Sequence, residues 1–65
     1  MKAKYFQETD TLYLEFSASE VVDTRDLDED TILDYDADGK LVGLTIEHAR
    51  TRTGGPSIEL ETIEA

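Results

Sequence analysis

The chain reads as an all-β or nearly all-β domain, a single antiparallel sheet of about five to six short strands with one short helical turn at most. Two observations predict this. Runs of period-two alternation recur at short spacing, separated by polar turn segments, and the dipeptide Asp38-Gly39 joins two of these runs. Asp-Gly between alternating runs is a strong hairpin signal, because glycine takes positive φ without steric cost.

Residues 3–6 form a short mixed run with two aromatics, and the polar turn Glu8-Thr9-Asp10-Thr11 follows. Leu12, Leu14 and Phe16 then alternate with Tyr13 and Glu15, the mark of a half-buried strand. Residues 17–19 break the run. Residues 20–24 carry the β-branched Val21 and Val22 and predict a strand. The cluster Asp26-Leu27-Asp28-Glu29-Asp30 reads as a loop. Residues 31–35 and 41–48 are the arms of the hairpin, with Val42, Leu44 and Ile46 on one face. Residues 49–53 have room for one helical turn, which Gly54-Gly55-Pro56 ends. Residues 57–63 predict a last strand through Ile58 and Leu60, with a short helix starting at Pro56 as the open alternative.

Sixty-five residues bound the chain to one domain, residues 1–65, with a small core. It has no cysteine and a single histidine, His48, so neither a disulfide nor a Cys/His zinc site supplements that core. Small domains without such staples gain burial by association, and a homodimer is expected. Sixteen acidic residues against six basic ones give a net charge of −10. Such a surface repels nucleic acid and anionic membrane and attracts cations and basic proteins. The same charge also serves plain solubility. Without a visible signal peptide or a long apolar run, the expected location is cytoplasmic.

Several segments together resemble a known family. They are Tyr5, Asp10-Thr11-Leu12-Tyr13-Leu14, and the stretch from Ile32 to Glu47 with Ala49, whose most specific part is the aspartate-rich turn followed by Leu41-Val42-Gly43-Leu44-Thr45-Ile46-Glu47. These resemble the YuzE-like family of very small uncharacterised bacterial and archaeal proteins. The resemblance implies a compact β-rich domain with no established activity and supplies no catalytic residues. Some members are encoded beside small basic proteins similar to ribonuclease toxins, which implies an antitoxin-like role as one alternative.

Four sets of residues are candidates for chemistry. Asp34, Asp36, Asp38 and Gly39 match the opening of a calcium loop, with Leu41 at the eighth position. The twelfth position is Thr45 where a bidentate glutamate is required, and the flanks read as strands, so solvated turn aspartates are the favoured reading. Residues 20–38 hold nine acidic side chains, but an acid–base pair needs a pocket to separate its pKa values, and a solvated rim is favoured. His48 falls, by alternation, on the face of Val42, Leu44 and Ile46 and is expected to be a hydrogen-bonded strand-end residue. Arg50 and Arg52 are expected to pair with nearby carboxylates. Tyr13 and Tyr35 are the interaction candidates, since tyrosine gives large contact area at low entropy cost; packing across the sheet is the equal alternative.

The expected function is a non-enzymatic protein-interaction module with an acidic surface. An antitoxin-like protein facing a basic ribonuclease-like partner, and a weak calcium-binding module, are the alternatives. No catalytic residue and no cofactor is expected.

Overall fold

The chain forms strands β1 (Lys2–Phe6), β2 (Thr11–Glu15), β3 (Asp23–Asp28), β4 (Thr31–Tyr35) and β5 (Leu41–Glu47), followed by the short helix α1 (Ala49–Thr53). They come from a computed structural model that describes residues 1–54 and 61–63. The five strands form one antiparallel sheet in the order β1-β2-β5-β4-β3. The last of these five strands in sequence, β5, therefore lies at the centre. It is also the longest, and its only charged residue is the terminal Glu47.

Register sorts the side chains. Leu12 lies opposite Ile46, Leu14 opposite Leu44, and Leu33 opposite the same Leu44. Ala3 and Tyr5 continue this face beyond β2, and Arg25 and Asp23 continue it beyond β4. The other face carries Lys4, Tyr13, Thr45, Ile32 and Asp26 in one cross-strand row, with Glu15, Gly43, Asp34 and Thr24 in the next. One face is thus apolar at its centre and the other largely polar, the pattern of a half-solvated antiparallel sheet. Among the described residues the buried apolar side chains are Leu12, Val42 and Ala49, and none of the large ones is fully enclosed.

The hairpin between β4 and β5 forms as the Asp-Gly signal predicts. The Gly39 amide donates to the Asp36 carbonyl at 3.1 Å and the Asp36 amide to the Lys40 carbonyl at 2.9 Å. Gly39 has φ +78°. The turn is one residue longer than a two-residue loop, with Ala37, Asp38 and Gly39 between the closing pair, the three-residue arrangement that uses a left-handed glycine.

Two expectations are corrected along β3. Val21 and Val22 do not belong to the strand, which begins at Asp23; they lie exposed in the connection from β2. Asp26 and Asp28, expected in a loop, are strand residues, and the turn is confined to residues 29–30. The reason is position. β3 is an edge strand whose residues are all exposed, so carboxylates stay in water while the backbone pairs with β4. The predicted strand at 57–63 falls largely on residues 55–60, outside the described residues, and 61–63 carry no regular structure.

Candidate functional site

The densest set of polar contacts lies where β5 passes into α1. Strand β5 stops at Glu47 because His48 adopts a left-handed conformation, φ 55° and ψ 43°, so the alternation that would place it with Val42, Leu44 and Ile46 does not reach it. Two turns close on this junction from either side. From the β1–β2 turn comes Asp10, itself left-handed at φ 54°. Aspartate and histidine are among the residues that tolerate this region. The Asp10 carbonyl accepts the Ala49 amide at 3.0 Å. Its carboxylate accepts the Tyr5 hydroxyl at 2.7 Å and the Arg50 amide at 3.0 and 3.2 Å. A carboxylate on the first amides of a helix satisfies donors that the helix cannot satisfy itself.

From the β3–β4 turn comes Asp30. Its carbonyl accepts the Glu47 amide at 2.7 Å, and Nδ1 of His48 donates to its carboxylate at 2.9 Å. Further along α1, the Arg52 guanidinium donates to the Thr31 hydroxyl at 2.6 Å and approaches the Asp28 carboxylate at 3.4 Å. Asp28 also accepts the Asp30 amide at 2.9 Å.

These contacts set the electrostatics. The Tyr5 hydrogen bond first, with the Arg50 amide and charge behind it, holds the Asp10 carboxyl below its ordinary range against an opposing desolvation. The same bond pushes the Tyr5 phenol up. Asp28 is lowered by the Asp30 amide, the Thr31 hydroxyl and the Arg52 charge. His48 is raised, first by its hydrogen bond to Asp30 and then by that residue's charge. The His48 side chain is 68 % exposed, and the carboxylates of Asp10, Asp28 and Asp30 are engaged in holding the turns and the helix together. Chemically this is a latch. Arg52 pairs with a carboxylate as expected, whereas Arg50 is held through its backbone amide.

The three aspartates of the hairpin are placed apart in role. Asp34 sits on β4 and accepts the Thr24 hydroxyl at 3.0 Å. Asp36 accepts the amides of Asp38 and Lys40 on one carboxylate oxygen, each at 2.9 Å. Asp38 is at the exposed tip. Among the described residues no three His, Asp or Glu side chains are grouped to hold a metal ion.

Tyr13 and Tyr35, the interaction candidates, are both half-buried and lie on opposite faces. Tyr13 stands over Gly43, and its phenol is raised by burial first and then by Asp34 and Glu15. Tyr35 lies at the end of β4, with the Arg25 guanidinium 5.6 Å from its ring centre. The residue that sequence reasoning missed is Asp10. It reads as one polar turn residue among several, because its partner Arg50 is forty positions away.

Among the described residues no helix is long and apolar enough to cross a membrane. Residues 2–50 match the family described as "Protein of unknown function (DUF2283)", and the chain belongs to that family. The match runs from β1 to the first turn of α1 and so includes both turns of the latch. No curated protein and no solved structure matches the chain.

Proposed function

We propose that this member of the DUF2283 family is a non-enzymatic protein-interaction module that works as a homodimer through the apolar face of its sheet. One observation carries the reading. On the three inner strands that face presents Leu12, Leu14, Leu33, Tyr35, Val42, Leu44 and Ile46, without a charged residue. A sheet face of this composition needs a second layer. Among the described residues the only element besides the sheet is the five-residue α1, and Leu14, Leu33, Leu44 and Ile46 stay half-exposed.

The sheet edges are poor alternatives. β1 carries Lys2 and Lys4, and β3 carries Asp23, Asp26 and Asp28 with a bulge between Asp26 and Asp28. Charges and bulges on edge strands oppose strand addition by a second copy. Face-to-face packing leaves the acidic groups at the rim, where salt screens their repulsion.

The YuzE-like resemblance is the finer family reading, and a cytoplasmic setting goes with it. The net charge of −10 supports a second reading, an antitoxin-like monomer that engages a small basic ribonuclease-like protein. Sedimentation equilibrium at low and high salt separates the two. The homodimer requires association that tightens with salt and is lost in Leu33→Glu, with circular dichroism confirming that the variant folds. A stable monomer at high micromolar concentration in both buffers overturns the homodimer and favours the basic partner.

A further inference from the structure

At the opposite end of the sheet from the latch, the connection from β2 and the start of β3 run beside the β4–β5 turn. Between them lies a cleft of about 340 Å³, lined by Val22, Asp23, Arg25, Tyr35 and Asp36 among others. Its size is at the small end for ligand clefts, about 300–1,000 Å³, and suits one side chain better than a bulky ligand.

Its chemistry is specific. Tyr35 offers an aromatic ring, and Asp23, its direct partner across the strands, offers a carboxylate. Asp36 spends one carboxylate oxygen on the turn amides, and among the described residues its other oxygen accepts no hydrogen bond. Val22, 56 % exposed, forms an apolar wall. A flat cation satisfies all three surfaces at once. A guanidinium stacks on an aromatic ring while its fork donates to carboxylates, which the compact ammonium of lysine does less well.

A guanidinium is already there. Arg25 reaches back along its own strand, placing its Nε 3.0 Å from Asp23 Oδ2 and its Cζ 5.6 Å from the Tyr35 ring centre. It does so with 72 % of its side chain exposed, on an edge strand. An exposed pair of this kind is held weakly and is readily displaced.

We propose that this cleft receives an arginine side chain from an extended basic segment of a partner protein, and that Arg25 is its internal placeholder. The proposal rests on the interaction-module reading and names the partner's chemistry. The surrounding negative charge draws the segment in, and the cleft selects arginine from it.

The test is a titration followed by amide NMR shifts, using a short extended peptide with one central arginine and matched peptides with lysine or citrulline there. The arginine peptide is expected to shift Val22, Tyr35 and Asp36 selectively and to bind more tightly than the lysine peptide. Arg25→Ala removes the competitor and is expected to tighten binding about threefold, the scale of an exposed ion pair. Tyr35→Leu keeps an apolar side chain without the ring and is expected to weaken it about tenfold, while Tyr35→Phe restores it. Equal binding of the citrulline peptide, shifts spread evenly over the acidic surface, or weaker binding by Arg25→Ala would each overturn the proposal. Tyr35 also lies on the face proposed to pair, so the titration is repeated on Leu33→Glu, which is expected to be monomeric; selective arginine binding absent from both proteins overturns the cleft, while sedimentation equilibrium alone decides the dimer.

Discussion

The ring of Tyr13 lies across the backbone of Gly43: a Cβ on Gly43 would come within 2.7 Å of the Tyr13 Cζ and closer still to its hydroxyl. The two residues are diagonal neighbours on adjacent strands, since Tyr13 pairs with Thr45 and Gly43 with Glu15. Glycine weakens a strand interior because it has no side chain to pack, and an aromatic neighbour laid over it restores the lost contact.

Gly43→Ala should therefore destabilise the fold by about 1–3 kcal/mol, the cost of forcing a packed side chain off its site. The same change made with Tyr13→Val should cost clearly less, because the clash is gone. Urea unfolding of the two single variants and the double variant measures this coupling. A neutral Gly43→Ala beside an intact Tyr13 would show that the ring moves freely.

Gly39 tests a different cost. A Cβ there meets nothing within 4 Å, so only its φ of +78° resists a side chain. Gly39→Val should lose about 1–2 kcal/mol to backbone strain, and Gly39→Asn distinctly less, since asparagine tolerates the left-handed region. Equal stability of the two variants would exclude this cause.

Asp10 should be the most sensitive polar residue of the latch. Asp10→Ala removes the acceptor for Tyr5 and Arg50, whereas Asp10→Asn keeps an oxygen acceptor and a residue type that accepts positive φ. Thermal melts should rank wild type above Asp10→Asn and Asp10→Asn above Asp10→Ala. Hydrogen exchange should report faster opening of α1 in the alanine variant.

Stability should peak in mildly acidic solution. His48 binds its proton more tightly when folded, so its contribution is complete below its ordinary value of 6.5 and is lost as pH rises through the raised one. Asp10 and Asp28 are held below their ordinary 3.8, so their contribution is present above that value and is lost as pH falls through the lowered ones. Urea midpoints from about pH 5 to about pH 8 should decline for wild type and flatten for His48→Asn, which keeps the left-handed backbone without the charge. Identical slopes would remove the His48–Asp30 pair as the cause.

Calcium should bind no tighter than about millimolar, because the loop has no bidentate carboxylate at its last position. Asp36 also gives one oxygen to the amides of Asp38 and Lys40. Calorimetric titration in physiological salt checks this, and a submicromolar constant would make Asp34, Asp36 and Asp38 ligands.

The sequence by itself determined the local features. Alternation placed Leu12 and Leu14 together and Val42, Leu44 and Ile46 together, and Asp38-Gly39 announced the hairpin that joins β4 to β5. Each of these follows from the two-residue period of a strand or from the freedom of one glycine, and needs no distant partner. Tertiary structure decided the rest. It inserted β5 between β2 and β4, made a strand of the acidic segment ending at Asp28, and brought Asp10 to Arg50 and Asp30 to His48. An edge strand can be polar on both sides, so no apolar pattern marks it. The latch depends on turns that meet only after the sheet has formed, and no short-range signal in the chain records which turn will stand beside the end of β5.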